Sequence, residues 1–273
     1  QHIFKGIIGE IAASPTMVLS RITIPALKSL EPLPLKAEQS NTSIIYGDQL
    51  VFKLYRKMED GINPEVEIGR FLTENTTFKN IPQVAGSLEY RSGRNKPISL
   101  GILQSFVPNE GDAWQYTLDA LQRYFELVLA HPTVQAPPVP RKPLLSLPKE
   151  LPPLARETIG AYMASAQLLG QRTAELHVAL ASAPEDPDFA PLPYTLVYQT
   201  SLYQSFRGFA MRTLEMLREQ ASNLPEESLR DAKKVLDKEK NIVERYNLIR
   251  QRKISASRIR CHGDYHLGQV LYT

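Results

Sequence analysis

The 273-residue sequence has one cysteine, Cys261, so it cannot form a disulfide within the chain, and this usage fits a reducing compartment. No apolar run approaches the roughly 20 residues that span a bilayer. Thirty-two basic and 29 acidic side chains leave a net charge of +3, too small to indicate binding to nucleic acid or to an anionic membrane. We therefore expect a cytoplasmic globular protein without a nucleic-acid or membrane partner.

The sequence also lacks the glycine patterns of common phosphate-binding loops. It contains neither Gly-x-Gly-x-x-Gly nor a Walker A sequence. Residues 1–58 are short, β-branched segments divided by turn residues, and 35–55 predict a three-stranded antiparallel meander. Asn63 and Pro64 predict the start of a helix, and the segments KNIPQVAGSLEYR and KPISLGILQSFVP predict two further strands.

Beyond Gly111 the apolar spacing becomes helical. We expect helices after this glycine and over 155–182, 194–220 and 225–252, with an irregular proline-rich insertion at 131–154. Strands followed by helices indicate an α+β protein of two lobes, hinged near Gln104–Glu110, and exclude the alternating order of a Rossmann fold. The expected division is 1–34 as cap-like strands, 35–107 as the first lobe and 108–273 as a partial helical second lobe.

The segment CHGDYHLGQV contains the sharpest chemical signal. Asp264 follows His262 and Gly263, and Gln269 lies five positions after the aspartate. Kinases place a catalytic aspartate and a metal-binding asparagine at this spacing, because one loop must present a carboxylate to the attacking hydroxyl and an oxygen to the metal. Taken alone, a surface loop whose His and Asp cap the next strand explains the pattern equally well.

Lys53 is a lysine inside an apolar strand, LVFKLY, where it shares a face with Val51 and Tyr55. Such a lysine needs a partner or an exposed edge. In kinases the corresponding lysine binds phosphates and pairs with a helix glutamate. Glu67 on the next element is the expected partner and Glu65 the alternative; an edge-strand lysine facing water remains the simpler explanation.

The polar segment before this strand supplies further candidates. Ser40, Asn41 and Thr42 offer hydroxyl, amide and backbone donors to a phosphate, although a polar hairpin turn explains them as well. The turn, the lysine strand, the glutamate helix, the hinge and the aspartate loop follow one another in the order of a two-lobed kinase, which favours the kinase hypothesis over each separate alternative.

These residues bring the sequence close to a known family. The blocks SNTSIIYGDQLVFKLYRKMEDGINPEVEIGRFLTE, GILQSFVPNEGDAWQYTLDAL, GQRTAELHVALAS and CHGDYHLGQVL resemble the maltokinase family, within the aminoglycoside-phosphotransferase-like kinases. The resemblance is strongest to the maltokinase region fused to bacterial trehalose synthases, and it extends over nearly the whole chain.

The resemblance implies phosphorylation of maltose by ATP at its anomeric hydroxyl, giving maltose 1-phosphate. Asp264 would orient that hydroxyl and accept its proton, and His262 would hold the sugar or the loop. Gln269 would bind Mg²⁺ through its carbonyl oxygen. Lys53, braced by Glu67, would neutralise phosphate charge.

The same resemblance implies a nucleotide site at the hinge. Backbone groups around Gln104–Val107 would hydrogen-bond the adenine edge, with Ser40, Asn41 and Thr42 near the phosphates. Kinases of this class also require a second metal-binding aspartate after the catalytic loop. The sequence contains no such segment after Leu271, so we expect a truncated kinase domain with weak nucleotide binding and negligible turnover.

Two other functions stay open. The chain is alternatively a kinase of another small alcohol, such as an aminoglycoside, although no acidic cluster for a cationic substrate lies near the loop. It is alternatively a non-catalytic module that positions or regulates a fused trehalose synthase domain.

Overall fold

A computed structural model describes residues 2–22, 29–35, 41–93, 96–130 and 153–273. Ser40 and most of the proline-rich segment lie outside these ranges. The strands are β1 His2–Lys5, β2 Glu10–Pro15, β3 Pro32–Pro34, β4 Asn41–Tyr46, β5 Leu50–Tyr55, β6 Val84–Arg91, β7 Ile98–Ser105, β8 Leu192–Pro193 and β9 Ser257–Arg258. The helices are α1 Met17–Ser20, α2 Pro64–Asn75, α3 Ala113–Ala130, α4 Pro153–Ile159, α5 Tyr162–Leu180, α6 Leu196–Gln220, α7 Glu226–Leu236 and α8 Glu239–Gln251.

Seven strands form one antiparallel sheet in the order β1-β2-β6-β7-β5-β4-β3. A three-stranded meander is present, since β3 pairs with β4 and β4 with β5, but β3 lies at Pro32–Pro34, before the predicted range of 35–55. Strands β1 and β2 continue the same sheet through the pairing of β2 with β6. Central strand β5 lies between β4 and β7, so both of its edges are hydrogen-bonded.

Helix α2 packs its apolar side against this sheet. It begins as predicted: the Asn63 side chain accepts a hydrogen bond from the Glu65 N–H, and Pro64 occupies the first helical turn. The buried side chains of the helix are Val66, Ile68, Phe71 and Leu72. Burying each one contributes about 1.5–3 kcal/mol relative to exposure, so packing fixes the helix on the sheet.

Two stretches that the sequence predicts as single helices are each divided. The expected helix over 155–182 is interrupted between α4 and α5, where Gly160 has a φ of +61°, a conformation that favours glycine. The expected helix over 225–252 is interrupted at Asp237 and Lys238: Asp237 keeps helical backbone angles, whereas Lys238 departs from them with φ −98° and ψ 10°. Neither glycine nor proline marks this second break, which explains why the apolar periodicity does not show it.

The described chain forms two compact units. The first consists of Gln1–Ser182 together with Cys261–Thr273, and the second is Ala183–Arg260. In the second unit the side chain of Gln199 donates hydrogen bonds to the carbonyls of Ile249 and Arg252, at 2.5 and 2.8 Å, which joins α6 to the end of α8. Within the described ranges, no helix combines the length and apolar character needed to cross a bilayer.

Candidate functional site

The Lys53 ammonium forms an ion pair with the Glu65 carboxylate, with 2.8 Å between Nζ and Oε1. The partner is thus the alternative glutamate, and the expected bracing by Glu67 is corrected. The two glutamates are two positions apart on α2, so their side chains point about 200° apart around the helix. Glu65 lies in the first turn beside β5, and both charged side chains remain about one-third exposed at 27% and 32%.

A third group completes this ion pair. The Tyr55 hydroxyl donates to the other carboxylate oxygen of Glu65, Oε2, at 3.2 Å. Tyr55 itself is only 6% exposed, and its ring belongs to a core cluster with Val66, Val84 and Ile102. Burial, followed by the nearby Glu65 carboxylate, raises the pKa of the Tyr55 phenol well above its ordinary value. Strand alternation predicts Tyr55 on the face of Lys53, but no pattern in the sequence indicates a role for it.

The N-terminus of α2 is tied to strand β7. The Asn63 N–H donates to the Ser99 hydroxyl at 2.9 Å, and the Gly61 N–H donates to the Pro97 carbonyl at 3.0 Å. The Asn63 side chain in turn accepts from the Glu65 N–H at 2.9 Å. Strand β7 therefore fixes the helix end from which Glu65 reaches Lys53.

The His-Gly-Asp segment forms a tight, exposed turn. Gly263 has a φ of +88°, as expected of a glycine at this bend. The Asp264 N–H donates to Nδ1 of His262 at 3.3 Å, so His262 holds the loop backbone in this structure. The Asp264 carboxylate is 81% exposed, and its Oδ1 lies 3.9 Å from Nε2 of His266. The Asp264 carboxylate is thus accessible to solvent beside the His266 ring.

A single 3₁₀ turn, Leu267–Gln269, follows the aspartate. The Gly268 N–H donates to Nδ1 of His266 at 3.1 Å, and a Cβ at Gly268 would lie 3.0 Å from the His266 ring. A larger residue at position 268 would crowd the His266 ring. The next residue, Gln269, has an exposed side chain.

The end of this loop is hydrogen-bonded to the segment that follows β7. The Glu110 N–H donates to the Tyr272 carbonyl at 2.8 Å, and the Ala113 N–H donates to the Val270 carbonyl at 2.8 Å. Asp112 and Leu271 form an isolated antiparallel bridge. The expected hinge segment and the aspartate loop are thus directly joined within the first compact unit.

Side chains from two helices reinforce this attachment. The Tyr272 ring stacks on Tyr116 of α3, and the Tyr265 hydroxyl lies 3.0 Å from the Thr173 hydroxyl of α5. None of these four residues was predicted to lie at the site. The position of Tyr265 between the two glycines of the loop could have indicated a role for it. Its partner Thr173 could not be predicted, because it lies 92 positions away along the chain.

The predicted adenine-binding segment Gln104–Val107 runs from the end of β7 into the connection. Gln104 is 7% exposed and faces Val51 of β5 in the sheet register. The amides of Ser105 and Phe106 donate to the carbonyls of Gln83 and Gln49, at 2.8 Å each. Val107 lies beyond these bonds, where its carbonyl accepts from the Asn109 side chain at 2.8 Å. Contact of this segment with adenine remains a prediction.

The expected phosphate-binding turn has a different local structure. Asn41 and Thr42 belong to strand β4, where they lie opposite Tyr55 and Leu54 of β5. The turn prediction is therefore corrected for these two residues, because the alternation of NTSIIY favours pairing with β5 once that strand is present. A phosphate contact from this strand remains a prediction, and Ser40 lies outside the described residues.

The donor atoms of the loop suit magnesium bound jointly with a nucleotide. Among the described residues no group of three or more His, Cys, Asp or Glu side chains forms a metal-binding cluster. Magnesium on substrate phosphates usually takes only one or two protein oxygens, with water and phosphate supplying the rest. The exposed Gln269 amide carbonyl is an oxygen donor of that kind.

Comparison with solved structures identifies the fold. One crystal form of glucosamine kinase is 18% identical to this chain, with a TM-score of 0.55 over 95% of this chain and 49% of that one. Glucosamine kinase in complex with glucosamine, ADP and inorganic phosphate is 19% identical, with a TM-score of 0.57 over 96% and 50% of the two chains. The chain thus spans about half the length of these neighbours and shares their kinase-like α+β fold. No protein-family model matches the sequence.

Proposed function

We propose that the chain belongs to an ATP-dependent kinase that phosphorylates a sugar hydroxyl. One observation carries this proposal. Residues 270–272, which follow the His262–Asp264 turn, are hydrogen-bonded to the segment that leaves strand β7. The sheet that contains β7 also contains Lys53, which pairs with Glu65 of α2. The fold shared with glucosamine kinase supports the same reaction class. A two-lobed arrangement and a cytoplasmic location, where ATP is available, are parts of this proposal.

The proposed reaction is a transfer of the γ-phosphoryl group. The sugar hydroxyl oxygen forms a bond to the γ-phosphorus, the bond from that phosphorus to the ADP oxygen breaks, and the hydroxyl proton passes to the Asp264 carboxylate. Lys53, held by Glu65, neutralises charge on the nucleotide phosphates. Bound Mg²⁺ would supply further neutralisation of phosphate charge, with Gln269 as the residue to hold it.

For the acceptor we propose the anomeric hydroxyl of maltose. The support is the resemblance of four sequence blocks, including CHGDYHLGQVL, to maltokinases. Glucosamine, which is bound in one structural neighbour, is the competing acceptor. The resemblance also extends the proposal to a fused or associated trehalose synthase domain, which measurement of the mass of the natural protein would reveal.

The test uses the natural protein that contains these 273 residues. Purified protein is incubated with ATP, Mg²⁺ and either maltose, glucosamine or an aminoglycoside, and the products are identified by ³¹P NMR. We expect a sugar phosphate at the anomeric position when maltose is the acceptor, and no product with glucosamine or the aminoglycoside. Asp264→Asn should lower the rate by about 10²- to 10⁴-fold, the typical contribution of a positioned base. Asp48→Asn, in an exposed turn between β4 and β5, is the matched control.

Other outcomes separate the alternatives. Phosphorylation of glucosamine or an aminoglycoside with no reaction on maltose would retain the kinase and reject the acceptor. Nucleotide binding without transfer to any acceptor would favour a non-catalytic module that regulates a partner domain. Equal rates for the wild-type and Asp264→Asn proteins would reject the assigned base.

A further inference from the structure

We infer that Tyr55 is a positioning residue of the nucleotide site, because its hydroxyl orients the Glu65 carboxylate toward Lys53. This inference rests on the proposed function and adds a third member to the lysine–glutamate pair. Tyr55 does not touch the nucleotide in this account; it acts through Glu65.

The geometry divides the carboxylate between two donors. Oε1 of Glu65 accepts from the Lys53 ammonium at 2.8 Å, and Oε2 accepts from the Tyr55 hydroxyl at 3.2 Å. Lys53 and Tyr55 are two positions apart on β5, so they point to the same side of the sheet at a separation of about 7 Å along the strand. One carboxylate bridges both side chains, and its rotation is therefore restrained at both oxygens.

The three side chains differ in mobility. Lys53 and Glu65 are 27% and 32% exposed and have long, flexible side chains, so their ion pair alone is only loosely oriented. The Tyr55 ring is fixed in the core beside Val66, the residue that follows Glu65. A tyrosine has two rotatable side-chain bonds and both are restrained here by packing. The rigid phenol therefore supplies the orientation that the ion pair lacks.

The phenol is also a donor at every working pH. Burial and the Glu65 carboxylate raise the pKa of Tyr55, so its proton stays in place under physiological conditions. An ammonium group has three N–H donors, and Glu65 uses one of them. With the carboxylate fixed by Tyr55, the remaining donors of Lys53 keep a constant direction toward a bound phosphate.

The experiment compares ligands with and without phosphates. Dissociation constants for ADP and for adenosine are measured by calorimetry on the wild-type natural protein and on Tyr55→Phe, which keeps the buried ring. We expect ADP to bind about 3- to 10-fold more weakly to the variant, the effect of one hydrogen bond, with adenosine binding unchanged. Tyr46→Phe, on the neighbouring strand β4, is the matched control and should leave both constants unchanged.

Two further variants exclude a merely structural effect. In a Glu65→Ala background, adding Tyr55→Phe should cause no additional loss of ADP affinity, since the side chain being positioned is gone. Placing 4-aminophenylalanine at position 55 restores an N–H donor to Glu65 and should restore ADP affinity. Equal ADP affinities for this variant and for Tyr55→Phe would overturn the inference even if the phenylalanine variant folds poorly.

The remaining outcomes distinguish this inference from the function on which it rests. Equal weakening of ADP and adenosine by Tyr55→Phe would show a structural role and overturn the inference alone. The inference alone would also be overturned if Lys53→Met weakens ADP binding but Tyr55→Phe does not. Failure of the wild-type protein to bind ADP would overturn both proposals.

Discussion

The rings of Tyr116 and Tyr272 stack with their centroids 4.4 Å apart and their planes inclined by 17°. Tyr116 lies on α3, and Tyr272 follows the His-Gly-Asp turn by several residues, so the stack holds the end of that loop on the helix. The Tyr116 hydroxyl also lies 3.0 Å from the Ser165 hydroxyl of α5. The tyrosine thus connects the loop end with both helices.

Removing this stack should release the loop end. Tyr272→Ala loses an aromatic pair, which contributes about 0.5–1.5 kcal/mol beyond the buried area. We expect faster hydrogen exchange at the amides of Glu110 and Ala113, which donate to carbonyls of the loop segment. Tyr124→Ala, on the same helix, should leave those amides protected. Unchanged exchange in Tyr272→Ala would show that the backbone bonds hold the loop alone.

Glycine substitutions at two positions should change stability in opposite directions. Gly263 has a φ of +88° with open space around it, so Gly263→Ala should destabilise the turn by about 1–2 kcal/mol through backbone strain alone. Gly170 lies within helix α5, also with open space, and Gly170→Ala should stabilise the protein by about 0.5–1 kcal/mol. Urea unfolding of both variants measures the difference, and a loss of stability in both would contradict it.

The side-chain cap of helix α2 should contribute to the stability of the protein. Asn63→Ala removes the acceptor of the Glu65 N–H and should lower the free energy of unfolding by about 1 kcal/mol. Asn63→Asp retains an acceptor oxygen and should cost much less. Thermal unfolding compares the two variants. Equal losses of stability in the alanine and aspartate variants would contradict this capping role, since both variants keep the backbone bond from residue 63 to Ser99.

Gln199 should be the most sensitive polar side chain of the second compact unit. It is 1% exposed, and Gln199→Leu would leave the carbonyls of Ile249 and Arg252 without this donor. We expect a loss of about 1–3 kcal/mol, the cost of one buried group left without a partner, because Ile249 is half-buried and Arg252 is exposed to water. Gln204→Leu, exposed on the same helix, should change stability little. Denaturant unfolding followed by circular dichroism distinguishes the two.

Ionisation of the Tyr55 phenol should lower the free energy of unfolding at alkaline pH. Its pKa is raised, first by burial and then by Glu65, whereas the phenol of an unfolded chain ionises at its ordinary value of 10.0. Its stabilising effect is therefore complete below pH 10 and decreases as the pH rises above that value. The difference in unfolding free energy between wild type and Tyr55→Phe should fall by about 1.4 kcal/mol per pH unit there. A constant difference between pH 10 and 11 would contradict the assignment.

Local patterns predicted much of the fold. The start of helix α2 at Asn63 and Pro64 and the strands around Lys53 follow from capping and alternation, which operate over a few residues. The division of the last helical stretch at Asp237 and Lys238 was missed, because no glycine or proline lies there and the apolar spacing continues across it.

The candidate site was predicted less completely than the fold. Alternation placed Lys53 and Tyr55 on one face, but the choice of Glu65 over Glu67 depends on the rotation of α2, which the packing of Val66 and Ile68 determines. The attachment of Tyr272 to Tyr116 joins positions far apart in the chain, and no local rule indicates such a pair. Long-range partners of this kind follow from tertiary packing alone.

The discontinuity of the first compact unit has a consequence for the order of events during synthesis. The sheet, with Lys53 and Glu65, precedes residues 183–260, whereas the Asp264 loop follows them. At ribosomal rates those intervening residues take about 4–16 s to be added. The sheet therefore has time to fold around Lys53 well before Tyr272 exists to join it. Attachment of the loop is a late event, and a nascent chain should form the Lys53–Glu65 pair before the Asp264 loop is in place.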